Sequence, residues 1–434
     1  MLSKFLVGAL ACILAGVLSG CGIGVQPLMP TPVVYTESGF EPLQHIPEHE
    51  RWIPRRVFYA TSRERVPNAQ EIAYGNTPSD QLRVGMAVVG FDGADMTWAS
   101  LNDASTSADR GDEVTLSISG IVETGQFDPA APSEASAAPE AAGFMLESMR
   151  DVIDDARDRD VLIYVHGAKV NFYNACVFAA QLDHFMGRDL TSVAFSWPTH
   201  QNILSYAGGG DIHRAYAAAD ALAAYIELIA DHTNAERIHV LCWSAGARVT
   251  TAGLTRLRER HPGQSVESLR ERFRLGTVYF AAGDVPAIEF LEHIEVMHGL
   301  ADQLIVTQTD DDSALKASKM FIGGGVRLGQ DSVALTPEQA ELLGTLDRLE
   351  VVDVSIGSET RGFDITGHRF WFTHPWASSD VMLSIRTRLM PAARGLEQGN
   401  KPYLWYLPAD YPARLRALLS GLDAEVLNRS APAG

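Results

Sequence analysis

The chain has 434 residues, 46% hydrophobic and 21% charged, an ordinary globular balance with ample apolar material for a large core. Its net charge of −19 argues against nucleic-acid partners, which need clustered Lys and Arg, and against electrostatic attachment to anionic lipid.

In chain order, Lys4 precedes "FLVGALACILAGVLSG" (5–20), an apolar run of signal-peptide length. The four residues "LSGC" (18–21) resemble a bacterial lipobox, which implies cleavage after Gly20 and lipidation of Cys21. Two acyl-type anchors on one cysteine would hold the protein firmly to a membrane. Gly22 rather than Asp follows, which in lipoprotein sorting implies the outer membrane, facing the periplasm. Removal of Cys12 and capping of Cys21 leave Cys176 and Cys242. Neither lies in a CxxC or Cys/His spacing, so no metal site and no structural disulfide are expected. The organisation read from composition is a signal peptide over 1–20, a flexible Pro- and Glu-rich tether over 21–50, and one domain over 51–434.

"RRVFYATSRERV" (55–66) and "LRVGMAVVGF" (82–91) predict a small β-rich lead-in. "DPAAPSEASAAPEAAG" (128–143) is low-complexity and reads as a mobile surface insert. From about residue 144 short apolar runs alternate with amphipathic ones. The strand-like runs are "VLIYVHG" (161–167), "SVAFSWP" (192–198), "RIHVLCW" (237–243), "GTVYFAAGD" (276–284), "QLIVTQTD" (303–310) and "LEVVDVS" (349–355). Between the first four, residues 171–187, 212–232 and 247–261 carry helical spacing. Strands apolar on both faces need cover on both faces, so a mostly parallel α/β sheet with helices on either side is predicted.

In such sheets chemistry gathers at the carboxyl ends of strands. Those ends hold His166-Gly167, Ser244, Asp284, the run Asp310-Asp311-Asp312 and, later, His368. Serine after a central strand, acid after a later one and histidine last is the α/β-hydrolase order. A serine hydroxyl is a poor nucleophile until an imidazole takes its proton, and a carboxylate behind the imidazole fixes its tautomer. The string Cys242-Trp243-Ser244-Ala245-Gly246 supplies the small residues that a tight strand-to-helix turn requires. Local reading leaves Asp284 open as an alternative acid and His374 as an alternative base. His166 reads as a brace of its loop, Asp310 and Asp311 as loop or helix-start residues, Trp197 as packing and Tyr206 as a wall of the site. The glycine-rich stretch 202–213 fits either a lid or an inert loop.

These motifs resemble those of a bacterial family of esterase-like α/β hydrolases of largely unassigned substrate. The matching pieces are "VFYATSR", "VLIYVHGAKVNFYNA", "VAFSWPTH", "RIHVLCWSAGARV", "DDSALKAS" and "GHRFWF". The resemblance implies an α/β-hydrolase fold, Ser244 as nucleophile, Asp312 as acid, His368 as base, and the backbone N–H groups of Ala168 and Ala245 as oxyanion hole. Trp243 stands where that family commonly has His, and Cys242 where an elbow usually has Gly or Ala. The expected activity is a membrane-tethered serine hydrolase acting on a small carboxylic ester without metal or organic cofactor. The rival reading is a non-catalytic envelope lipoprotein that uses the fold for binding or scaffolding.

Overall fold

The computed structural model describes residues 25–37, 41–110, 114–131, 138–201, 209–309, 312, 315–316, 325–330, 335–355 and 368–420. The signal segment, Cys21, residues 132–137 of the insert, residues 202–208 with Tyr206, and Asp310 and Asp311 lie outside the described residues.

Twelve strands form one sheet: β1 (Val25–Pro27), β2 (Arg55–Arg65), β3 (Tyr74–Asp92), β4 (Thr115–Phe127), β5 (Asp160–Val165), β6 (Thr191–Ser196), β7 (Arg237–Trp243), β8 (Leu275–Ala281), β9 (Ala301–Gln308), β10 (Leu349–Asp353), β11 (Glu397–Gln398) and β12 (Leu404–Tyr406). Their order is β1-β4-β3-β2-β6-β5-β7-β8-β9-β10-β12-β11. From β2 through β12 neighbouring strands run parallel, while β1, β4 and β3 extend one edge antiparallel and β11 the other. The six apolar runs predicted as strands become β5 to β10, and the β-rich lead-in becomes β2 and β3.

Period-two alternation sends successive side chains into two separate cores. Ile163, Val165, Val240 and Cys242 face one core, covered by helices Gly143–Asp155, Ala219–His232, Gly246–Glu259 and Ala287–Leu300. Leu162, Tyr164, Leu241 and Trp243 face the other, covered by helices Phe172–Phe185, Pro375–Arg386 and Tyr411–Leu419. The predicted run 212–232 divides at Ala218 into helices Ile212–Ala217 and Ala219–His232.

Two expectations need correction. Within the stretch read as a tether, β1 pairs with β4, and Leu28, Met29, Val33, Val34, Tyr35, Leu43 and Ile46 are buried. The Met29 N–H also donates to the buried Gln181 side chain at 2.6 Å. The proline and glutamate content that suggests a solvated linker conceals enough apolar side chains to dock the segment on the second core. Likewise the insert read as mobile ends in a short helix, Ala138–Ala141, with Ala138 and Ala142 buried in the first core. Alanines in a low-complexity run are small enough to pack closely once a strand lies beside them.

Candidate active site

Chain order in the sheet reverses at β5: β6 lies on one side of it and β7 on the other. The carboxyl ends of β5 and β7 thus flank a switch point, where helices leave toward opposite faces and a crevice opens. Ser244 follows β7 at this point.

Its backbone is bent sharply. Ser244 has φ of +52°, the left-handed region that costs a non-glycine residue about 1 kcal/mol or more. Neighbouring bonds hold it there: the Ser244 N–H donates to Ala281 O at 3.0 Å, and Ser244 O accepts from Asp284 N at 2.9 Å and Ala247 N at 3.0 Å. The turn also requires Gly246. A Cβ there would sit 2.5 Å from Val165 O and 2.8 Å from His166 O, so a side chain would push the helix start off β5. Gly167 is constrained similarly, since its Cβ would meet that of Ser244 at 3.0 Å.

Three side chains from separate loops meet over this turn. His368 Nε2 is 2.8 Å from Ser244 Oγ, and His368 Nδ1 is 2.6 Å from Asp312 Oδ2. A carboxylate only accepts, so the Nδ1 proton points at Asp312, Nε2 carries the lone pair, and the Ser244 hydroxyl donates to it. Asp312 is fully buried, and its other oxygen accepts the Leu315 N–H at 2.9 Å, which fixes the carboxylate. Ser244 is buried with a small exposed remnant, and the His368 side chain is 15% exposed, so the arrangement keeps limited access to solvent.

Neither the Ala168 nor the Ala245 backbone N–H has an acceptor among the described residues. Ala245 is fully buried. A buried backbone donor without an acceptor is rare; the Ala245 N–H is one, and together with the N–H of the half-buried Ala168 it suits a developing oxyanion beside the nucleophilic hydroxyl.

The alternative residues lie elsewhere. Asp284 forms an ion pair with Arg327 at 2.8 Å and approaches Arg248 at 3.8 Å. That pair ties the loop after β8 to segment 325–330, where Gly329 N–H donates to Gly283 O and Leu328 N–H to Val285 O, both at 3.0 Å. His374 caps the helix Pro375–Arg386, its Nδ1 accepting the Trp376 N–H at 3.2 Å. His166 donates from Nδ1 to Gly167 O at 2.7 Å, and burial first, then the Arg63 charge, pushes its pKa down to about 3. Trp197 is fully buried, stacks on His166 at 5.4 Å and donates its indole N–H to His166 O at 2.7 Å. Cys242 and Cys176 are buried free thiols whose pKa values burial raises. Among the described residues no cluster of His, Cys, Asp and Glu is arranged to hold a metal ion, and no helix is long and apolar enough to cross a membrane.

Two contributors escape a sequence reading. Trp243, immediately before Ser244, donates its indole N–H to His368 O at 3.1 Å, with its ring 5.6 Å from the imidazole. Arg63, fully buried on β2, reaches the loop after β5 through Val170 O at 2.8 Å. Their signals are only a Trp at an elbow and the last letter of "VFYATSR"; neither names its distant partner.

A crystal structure of an uncharacterized protein from Bacillus cereus is 18% identical over 44% of this chain and 58% of its own, with a TM-score of 0.25. This chain therefore spans a little over half of that protein's length. A search of curated proteins gave no match. Residues 144–372, just over half of the chain and the segment that carries Ser244, Asp312 and His368, match the model of the family described as alpha/beta hydrolase of unknown function (DUF900). The chain belongs to this α/β-hydrolase family.

Proposed function

We propose that the protein is a serine hydrolase of small carboxylic esters. Ser244 attacks the carbonyl carbon while His368 Nε2 takes the hydroxyl proton. The resulting imidazolium is stabilised by Asp312. Negative charge on the carbonyl oxygen is met by the N–H groups of Ala168 and Ala245, each such donor contributing roughly 3–4 kcal/mol in comparable sites. His368 then protonates the departing alkoxide, and water, activated by the same imidazole, releases the acid. The observation that carries this reading is the continuous hydrogen-bond chain Ser244–His368–Asp312 on a strained strand-end turn. The same geometry disfavours the purely scaffolding alternative, since strain and unpaired donors lower stability with no return for a binding surface.

A fluorophosphonate probe and a panel of p-nitrophenyl esters test it. Wild type should be labelled and turn over short-chain esters; Ser244→Ala should do neither while melting at the same temperature. Equal labelling of both proteins, or no labelling of folded wild type, overturns the assignment.

We further propose lipidation at Cys21 and a place on the periplasmic face of the bacterial outer membrane. Because β1 begins at Val25, the acylated cysteine would lie within about 14 Å of the folded body at full extension. The hydrolase would work close to the bilayer surface. Metabolic labelling with an alkynyl fatty acid, lost in Cys21→Ala, is the expected result; unchanged labelling refutes it.

A further inference from the structure

The loop after β5 is held by a guanidinium with an unusual set of partners. Arg63 is fully buried, yet among the described residues each of its acceptors is neutral. Nε donates to Ser196 Oγ at 2.9 Å, Nη1 to Asn76 Oδ1 at 2.9 Å and Gly75 O at 3.2 Å, and Nη2 to Val170 O at 2.8 Å. Nη2 also lies 3.3 Å from His166 Nε2. Arg63 makes no carboxylate ion pair among the described residues. The carboxylate that acts on it most, Asp211, is bonded to His200 at 2.5 Å, and Arg214 opposes it. Burial lowers the Arg63 pKa to about 9, which leaves it a cation at neutral pH. Burying a charge without a counter-charge is costly, so stability alone does not account for an arginine here.

The chemistry of the contacts runs in one direction. A guanidinium has donors only, so His166 Nε2 must be the acceptor and the ring proton must sit on Nδ1. That proton is the one donated to Gly167 O at 2.7 Å. The Gly167–Ala168 peptide is trans and planar, so fixing its carbonyl toward the imidazole turns the Ala168 N–H to the opposite side. Gly167 itself lies directly against Ser244. The same loop is clamped a second time at Val170 O, which accepts from Thr199 Oγ1 at 2.8 Å as well as from Arg63.

We propose that Arg63 and His166 are positioning residues that form a relay: Arg63 fixes the His166 tautomer, and His166 orients the Gly167–Ala168 peptide as an oxyanion donor toward Ser244. The inference rests on the hydrolase reading. The unneutralised charge of Arg63 adds to the effect, since a preorganised cation beside the oxyanion loop favours the negatively charged transition state over the neutral ester.

Two measurements test the relay. In wild type, nitrogen-15 NMR of His166 should show a neutral ring protonated at Nδ1 from pH 5 to 9; protonation at Nε2 overturns the proposal whether or not the protein is an esterase. In kinetics with p-nitrophenyl acetate, Arg63→Lys and His166→Leu should lower kcat roughly 10- to 100-fold, in keeping with loss of one oxyanion donor. KM should stay within about threefold, and affinity for an alkylboronic acid, which forms a tetrahedral adduct, should fall by a factor similar to kcat. His166→Asn, whose side-chain amide nitrogen takes the place of Nδ1, should recover part of the loss. Equal activity of H166N and H166L, or a change in KM with kcat and boronate affinity intact, overturns the relay. Fluorophosphonate labelling of wild type at Ser244 is read in parallel. Its absence refutes the hydrolase reading, and the tautomer then still decides the Arg63–His166 link.

Discussion

The two ends of the parallel strands treat buried polar groups in opposite ways. At the amino ends, charges are matched one against another. Asp160 pairs with Arg237 at 2.5 Å and His239 at 3.3 Å; Glu350 with Arg394 at 2.5 Å; Asp380 with Arg394 at 2.8 Å. Asp189 binds Arg386 at 2.7 Å, His45 at 2.8 Å and Arg157. Burial alone would raise the Asp160 pKa, but its bonds to His239 and Arg237 outweigh it and hold the carboxyl well below the usual range. At the carboxyl ends the matching is incomplete even though Asp284 pairs with Arg327: Ser244 has a left-handed backbone, the Ala168 and Ala245 amides have no acceptor among the described residues, and Arg63 lies among neutral acceptors. Buried ionisable groups therefore do not by themselves mark a site in this protein. What marks it is a strained serine with an imidazole and a carboxylate aligned behind it.

The comparison predicts that substitutions at one end will change rate and at the other stability. His368→Ala should lower kcat on a short ester by about 10⁴- to 10⁶-fold with little change in melting temperature. Asp312→Asn should cost somewhat less, about 10²- to 10⁴-fold, by offering the wrong tautomer to His368. Parallel kinetics and melting curves check both, and a loss of fold in either breaks the contrast. At the amino end, Glu350→Ala leaves Arg394 with one carboxylate. It should cost about 3–5 kcal/mol of stability, read from urea unfolding, with kcat held within twofold; a large kcat effect would join the two ends energetically.

Acid should expose the second difference. His166, with its pKa pushed down from 6.5 to about 3, is neutral in the folded protein across the range where the unfolded chain takes up a proton. Its contribution to stability is thus complete above about pH 6.5. It is lost at about 1.4 kcal/mol per pH unit as pH falls toward 3. His184, whose pKa burial and then Arg188 lower well below the usual value, acts in the same direction. Urea midpoints measured between pH 7 and 4 should fall less steeply in His166→Leu than in wild type; identical slopes would show that His166 is not buried neutral. The smallest expected effect is at Trp243. Trp243→Phe keeps a ring against His368 but removes the N–H that holds its carbonyl, and should reduce kcat about 3- to 10-fold, matching one hydrogen bond of about 1 kcal/mol. No change in kcat would assign the indole to packing alone.

Much of this was legible in the sequence, for physical reasons that differ between elements. Strands β5 to β10 are short apolar runs because both faces are covered, and their ends in Ser244 and Asp284 were visible for the same reason. Ser244, His368 and Asp312 could be singled out because this chemistry needs a fixed order along the chain. The short strands β1, β11 and β12 carry no period to read; Pro27 in β1 even argues against a strand. The "VFYATSR" run holds a serine and an arginine of similar local appearance to their neighbours, and only the loop at 166–170 reveals why Arg63 turns inward. Asp284 was ambiguous because its role depends on Arg327, a residue in a segment with no periodic signal.

The margins of the sheet have a consequence of their own. One rim is the three-residue β1, with a proline that cannot donate, and the other is the two-residue β11. A twelve-stranded ribbon that ended in long bare strands would invite other chains to add on. Here the β11 margin offers only a stub, whereas β1 covers just residues 115–117 of β4 and no strand other than β3 pairs with residues 118–127 among the described residues, so strand addition is blunted at one margin more than at the other.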